Sequence, residues 1–217
     1  GSARQVVEGR RLLDVALDWL RERGAPEPRT IPPEPPRPGC RSLRGDLERA
    51  ARRLGLTVRV HVHARLSAAA AVSGGAVLLG GGRWYSEQES VRLCAHEVGF
   101  HLAAFHRARR LPLRLLSTGT AGFLADHEGA ALMCEVESGA FTAYRRRLIG
   151  ARVFAVDAML QGASFSETLS TLREGYDLDA TDAYYACERA FRGDGFTKDV
   201  VYLRGFLRVS AAREQGE

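Results

Sequence analysis

The sequence contains a single lysine, Lys198, among its 31 basic residues, and it has neither a C-x-x-C pair nor a long run of apolar residues. A membrane-spanning helix needs about 20 apolar residues in a row, so we expect no membrane span. The scattered cysteines indicate reduced thiols rather than a secreted disulfide framework or a second zinc site; they are Cys40, Cys94, Cys134 and Cys187. We therefore expect a cytoplasmic protein.

The basic residues are almost all arginines, and the formal net charge is +5. They are not interleaved with aromatic residues in a stacking pattern and belong to no recognisable nucleic-acid-binding fold, so we do not expect nucleic acid as a partner. A positive surface favours an acidic peptide. Arginine runs such as residues 145–147 are equally typical of solvated helix faces.

Two histidines and a glutamate stand close together at His96, Glu97 and His101. Imidazole nitrogen binds Zn²⁺ well, and a carboxylate beside a zinc-bound water is what amide hydrolysis requires. The spacing is one residue longer than in H-E-x-x-H. Histidines five residues apart diverge by about 140° on a regular α-helix. Both rings can face one metal only if the helix forms a π-type turn there or unwinds at Gly99. A chance histidine on a surface helix is the alternative.

A third ligand is expected downstream, because a catalytic zinc site has three protein ligands and an open position. Glu128 is our candidate. We expect Asp126 to cap a new helix whose first turn carries Glu128, where the helix dipole favours a carboxylate. Asp126 and His127 compete for the role, but neighbouring helical residues point about 100° apart, so only one of them can face the metal. A solvated carboxylate at a helix start is the alternative for Glu128.

Four segments together resemble the microtubule-associated tyrosine carboxypeptidase family and its bacterial relatives, the flavohemoglobin expression-modulating QEGLA-motif proteins. Residues 96–101 (HEVGFH) are similar to the family's HExxxH motif, and residues 127–131 (HEGAA) to its QEGLA motif. Residues 115–119 resemble the connection between the motifs, and residues 192–205 the C-terminal signature. The resemblance covers the chain from about residue 43 onward.

The resemblance implies a zinc metallocarboxypeptidase, a class whose eukaryotic members remove the C-terminal tyrosine of α-tubulin. It implies Zn²⁺ bound by His96, His101 and Glu128, with Glu97 as general base and acid. The substrate would be a peptide or protein C-terminal tail. His127 replaces Gln, Ala130 replaces Leu, and Asp194 stands where Gly is usual. Since the ligand and base positions are intact, these departures concern substrate choice more than chemistry.

The remaining candidate residues follow from the reaction. An oxyanion needs a hydrogen-bond donor, for which the C-terminal signature offers Tyr202, Arg192 and Arg204. A free α-carboxylate needs a cation. The candidates for substrate binding are Lys198, Arg204, Arg192 and Arg152.

The predicted fold class is α+β: a mainly helical, zincin-like domain with a small antiparallel sheet before the HExxxH helix. We expect an amphipathic helix at 6–23 within an N-terminal region 1–23, a proline-rich extended connector at 24–41, and the metallopeptidase domain at 42–217. Alternation predicts strands at 56–64, 68–72 and 76–79, the last as an edge that holds an extended substrate. Ser86 and Glu89 predict a capping box for the HExxxH helix, which ends by Pro112. Further helices are expected at 126–138, 141–160, 166–173, 180–192 and 198–212.

Two other functions fit the same residues. The chain could be a zinc hydrolase that acts on a modified peptide precursor, or a peptide-binding regulator whose metal site does no chemistry. The intact Glu97 argues against the regulator, because a purely structural zinc needs no base.

Overall fold

The computed structural model describes residues 6–7, 10–66, 68–112, 123–192 and 199–216. The described elements, in chain order, are β1 (Val6–Val7), β2 (Arg10–Arg11), α1 (Leu12–Arg21), α2 (Leu43–Arg53), β3 (Arg59–His63), β4 (Ala70–Ser73), β5 (Ala76–Gly80), α3 (Glu87–Leu93), π1 (Cys94–Leu102), α4 (Ala103–Ala108), α5 (Phe123–Glu137), α6 (Ala143–Leu160), α7 (Phe165–Ser170), π2 (Thr171–Gly175), α8 (Ala180–Phe191) and α9 (Asp199–Glu214). The chain is mainly helical with one small mixed sheet, which confirms the α+β class.

The elements form two compact units. The first unit comprises Gly1–Ala25, Leu124–Gly129 and Thr142–Glu217, and the second comprises Pro26–Phe123 and Ala130–Phe141. Helix α5 is one continuous helix that supplies residues to both. None of the described helices combines the length and apolar character that crossing a bilayer requires.

The sheet of the second unit has the strand order β3-β5-β4. Strand β5 pairs in parallel with β3 and antiparallel with β4, so the prediction of a purely antiparallel sheet was wrong. The prediction of residues 76–79 as an edge strand was also wrong, because β5 lies in the centre. Val77 and Leu79, on one face of β5, are fully buried, whereas Ala76 and Leu78 on the other face are half-buried.

The helix that carries the histidines begins at a capping box, as predicted. Ser86 Oγ accepts from the backbone N–H of Glu89, and the Glu89 carboxylate accepts from the N–H of Ser86. The helix continues without a break through α3, π1 and α4. Val98 and Leu102 of π1 are completely buried in the core of this unit. The ligand-bearing turn is therefore anchored by its apolar side.

The proline-rich segment is tied to this core by backbone hydrogen bonds. Ile31 and Tyr85 exchange backbone hydrogen bonds of 2.9 and 2.8 Å, and both side chains are buried. The Tyr85 hydroxyl donates to the Gly80 carbonyl at 2.7 Å. The segment is extended, as its prolines require, but it packs against the sheet rather than serving only as a spacer.

The first unit packs α1, α6, α7, π2, α8 and α9 together. Helix α1 begins at Leu12 rather than at residue 6, because β1 and β2 form a short antiparallel pair before it. Its backbone lies directly against Gly150 of α6, where an added Cβ would meet the Ala16 carbonyl oxygen at 2.5 Å. The buried Arg147 holds the end of α1 by donating to the carbonyls of Leu20 and Gly24. These contacts fix the N-terminal helix within this unit.

Candidate metal centre and active site

The two histidines lie on a nine-residue π-helix, π1. A π-helix bonds residues five apart, so it places i and i+5 on one side where an α-helix would separate them. The rings of His96 and His101 accordingly meet edge to face, with centroids 4.7 Å apart. The structure confirms the predicted π turn and rules out unwinding at Gly99.

A buried carboxylate lies behind His96. The ring atom His96 Nδ1 is hydrogen-bonded to Glu135 Oε1 at 2.8 Å, and Glu135 is fully shielded from solvent. A carboxylate on Nδ1 favours the tautomer that carries its proton there, which leaves Nε2 as the electron-pair donor. The Arg92 guanidinium lies 3.9 Å from the same oxygen. Sequence reasoning missed Glu135; its one signal is a position seven residues, two helical turns, after Glu128.

The donor atoms of His96, His101 and Glu128 all lie within 4.8 Å of one another. His96 and Glu128 are buried, and His101 is half-buried. This is the one such group of three among the described residues. Two imidazoles and a carboxylate make the donor set of a catalytic zinc site. Of the three adjacent candidates on α5, Glu128 is the one that joins the histidines.

Asp126 plays a different part from the one predicted. Helix α5 already includes Phe123, so Asp126 lies inside the helix and does not cap it. Its carboxylate pairs with the guanidinium of Arg208 at 3.0 Å on the surface of the first unit. The prediction of an N-cap was therefore wrong, although Asp126 and Glu128 still lie near the start of the helix.

Two glycines bring α9 directly against the start of α5. A Cβ on Gly205 would lie 1.8 Å from the Ala125 carbonyl oxygen, and one on Gly129 would lie 2.2 Å from the Gly205 carbonyl. No side chain fits at either position, so the packing of the two helices requires glycine at both. This close crossing puts Tyr202, one turn before Gly205, beside Glu128.

Tyr202 is half-buried and lies near the candidate ligand Glu128. Burial raises the pKa of Tyr202 to about 12, and the Glu128 carboxylate acts in the same direction. The hydroxyl therefore stays protonated near neutral pH and can donate a hydrogen bond. The guanidinium of Arg152 lies over its ring, 5.8 Å from the centroid.

The cysteine on π1 is a poor competitor for the metal. Burial raises the pKa of the Cys94 thiol to about 11. A thiol binds zinc as its thiolate, so the raised pKa disfavours Cys94 as a ligand, and Cys94 is not among the three converging donors. None of the four cysteines forms a disulfide, in accordance with the prediction of reduced thiols.

The other predicted residues have varied surroundings. Arg192 Nη1 donates to Glu188 one turn earlier on α8 at 3.1 Å, and Arg204 lies on α9 with its pKa lowered by burial and by Arg208. Lys198 and Asp194 lie outside the described residues, as does the segment 115–119. The roles of Lys198, Arg192 and Arg204 stay predictions. His61 and His63 point to solvent along β3.

A search of curated proteins finds no match to this chain. The model of one family, described as "Microtubule-associated tyrosine carboxypeptidase", matches residues 1–216. The match extends to the N-terminal helix, beyond the region from residue 43 in which motif resemblance was seen. The chain therefore belongs to the microtubule-associated tyrosine carboxypeptidase family.

Proposed function

We propose that the protein is a zinc metallocarboxypeptidase that removes the C-terminal residue from a peptide or protein tail. Family membership implies a tyrosine carboxypeptidase activity. The observation that carries the zinc-dependent part is the convergence of His96, His101 and Glu128 within 4.8 Å. The shape of the second unit, with the histidine helix following a small sheet, supports a zincin-like arrangement.

The residues fit a zinc ion in type and in support. Two neutral imidazoles and one carboxylate would hold it, and Glu135 would orient His96 from behind. When bound, zinc lowers the pKa of water and polarises a carbonyl group. A structural zinc would normally have four protein ligands, whereas this group supplies three, which favours a catalytic site.

Glu97 is the residue that moves protons. It lies beside His96 on π1, is buried, and is not one of the three converging donors. Its carboxylate takes a proton from the attacking water and returns it to the departing amine. The Tyr202 hydroxyl, kept protonated by its raised pKa, donates a hydrogen bond to the oxyanion that develops on the scissile carbonyl.

The substrate is a C-terminal tail, and an acidic one suits the net charge of +5. Arg152, Arg192, Arg204 and Lys198 are the candidate cations for its α-carboxylate. Because β5 is central, an extended substrate would have to add to β3 or β4 instead. Free thiols throughout fit a cytoplasmic location.

Product analysis tests this proposal. Zinc-loaded and chelator-treated protein are incubated with a mixture of peptides that differ at the C-terminus, and the products are identified by mass spectrometry. We expect loss of single C-terminal residues that stops on chelation and returns with zinc. Internal cleavage or another product would favour a different hydrolase, and bound zinc without turnover would favour a peptide-binding regulator. Either result would reject the carboxypeptidase.

A further inference from the structure

Two helices of the first unit, α6 and α8, bring arginines to a buried carboxylate on α9. Arg189 of α8 donates from Nε to Asp199 Oδ1 of α9 at 2.7 Å. Arg152 of α6 lies 4.0 Å from the same oxygen, and Arg145, two turns before it, is close enough to act on its charge. Asp199 is only 3% exposed. Two guanidinium groups therefore lie within 4.0 Å of one carboxylate oxygen, and a third arginine acts on Arg152.

Arg152 differs from Arg189 in its distance from Asp199. Its Nε lies 4.0 Å from Asp199 Oδ1, beyond hydrogen-bond distance, and its guanidinium lies over the ring of Tyr202. Burial, and then the like charges of Arg189 and Arg145, lower the pKa of Arg152 to about 9. Its side chain nevertheless keeps 22% of its surface accessible. Arg152 is thus a partly accessible cation that lies among like charges.

Arg152 lies close to Tyr202, the proposed oxyanion donor. The Arg152 guanidinium lies 5.8 Å from the centroid of the Tyr202 ring, and the Glu128 carboxylate acts on the Tyr202 phenol. A carboxylate bound by Arg152 would therefore lie near Tyr202, which also has the candidate ligand Glu128 in its surroundings. A terminal residue has its α-carboxylate only a few bonds from the scissile amide, which matches this arrangement.

We propose that Arg152 binds the free α-carboxylate of the substrate's terminal residue, and that the Arg189–Asp199 pair positions Arg152 for it. This inference rests on the proposed carboxypeptidase function and adds the group that would make it an exopeptidase. A guanidinium offers two parallel N–H donors to a carboxylate. The anion would also relieve the repulsion among Arg152, Arg145 and Arg189, so binding is favoured by the whole cluster.

Arg192 is less suited to the task. The Arg192 guanidinium already bonds to Glu188, and its side chain is 43% exposed on the surface. A solvated arginine discriminates weakly between a carboxylate and an amide, because water competes for both. Arg152 is less exposed than Arg192 and lies among like charges.

The test compares one peptide in two forms. An N-acetylated peptide ending in Glu-Tyr is prepared as the free acid and as the C-terminal amide. Kinetics are measured with Arg152→Gln, with Arg152→Lys, and with Arg173→Gln as a control on the exposed surface of π2. We expect Arg152→Gln to lower kcat/KM for the acid by about 10- to 100-fold, mainly through KM, since it removes charge-assisted hydrogen bonds. Amide cleavage should be weak and unchanged, and Arg152→Lys should lie between Gln and native.

Calorimetry separates this inference from the proposed function. Binding of both peptides is measured to the full-length protein carrying Glu97→Gln, with and without Arg152→Gln. We expect the acid to bind at least tenfold tighter than the amide, and the preference to vanish with Arg152→Gln. An undiminished preference would overturn the inference even if the native enzyme is a carboxypeptidase. If native protein releases no terminal residue, the proposed function fails, and the acid-to-amide ratio still decides whether Arg152 binds a carboxylate. Should Arg152→Gln not fold, the same ratio for Arg152→Lys decides: a fall supports the inference, and an unchanged ratio rejects it.

Discussion

The two π-helical segments of this protein share a backbone geometry and differ in what surrounds them. In π1 the buried residues include His96 and Glu97, whereas π2 buries only Leu172 and leaves Arg173 and Glu174 exposed. A buried polar residue is costly unless another group satisfies it, and Glu135 does so for His96. Segment π1 thus differs from π2 in having buried polar residues, one of which is hydrogen-bonded to a buried carboxylate.

The second segment has a structural task instead. It leads into a tight turn in which Asp177 has a φ of 48°, and the carbonyls of Tyr176 and Asp177 accept hydrogen bonds from the buried Arg147. The π turn thus delivers two carbonyls to a cation that also holds the end of α1. A π-helix is therefore by itself a weak indicator of chemistry.

We expect the largest difference in kcat between changes of Glu97 on π1 and Glu174 on π2. Glu97→Gln should lower kcat by about 10²- to 10⁴-fold, because it removes the group that transfers protons, while bound zinc remains. Glu174→Gln, the matched change on π2, should leave kcat unaltered. Steady-state rates and metal analysis of both proteins measure this. Equal effects, or loss of zinc from the Glu97 variant, would break the distinction.

We expect the next largest effect, a loss of stability, from a change at the close crossing of α9 and α5. Gly205→Ala should destabilise the protein by about 3 kcal/mol, because its Cβ would overlap the Ala125 carbonyl and force the two helices apart. Denaturant unfolding followed by circular dichroism measures the change. A stability within about 0.5 kcal/mol of native would show that the crossing is not as tight as described.

A change of Glu135 tests whether the carboxylate behind His96 supports zinc binding by π1. Glu135→Gln should weaken zinc binding by about 10- to 100-fold, since the amide orients His96 less well and adds no negative charge. Glu137→Gln, an exposed change on the same helix, serves as the control. Competition with a chromogenic chelator measures both affinities. Equal affinities in the two variants would remove Glu135 from the account.

Gly99 should give the smallest effect. A Cβ at this position would meet only the Cys94 carbonyl at 3.6 Å, an ordinary contact. Gly99→Ala should therefore leave zinc affinity unchanged and stabilise the protein by up to about 1 kcal/mol, as alanine does in helices. A tenfold loss of zinc would show instead that the π turn depends on the glycine.

The sequence predicted most readily what lies close together in the chain. The H-E-x-x-x-H spacing led to the π turn, and the Ser86–Glu89 box led to the start of that helix, because both depend on contacts within a few residues. The helices of the first unit were placed to within a few residues for the same reason. The start of α1 was misplaced because the short β1–β2 pair has no pattern that separates it from a helix.

Features that depend on distant contacts were missed. Strand β5 looked like an edge because nothing in its own residues shows that β3 returns beside it in parallel. Glu135 and Arg189 carry no local signature, and their roles arise from pairing with His96 and Asp199 across the fold. Asp126 has the residue type of an N-cap, but the helix extends beyond it and its carboxylate pairs with Arg208.

The central claim is that His96, His101 and Glu128 hold one zinc ion, and X-ray absorption of the zinc-loaded protein tests it most directly. The account predicts one zinc per chain, with two imidazole nitrogens and a carboxylate oxygen at about 2.0–2.2 Å. Single changes of His96, His101 or Glu128 to alanine should each lower zinc affinity sharply. A native protein that binds no zinc, or a triple variant that keeps it with the same spectrum, would contradict the account.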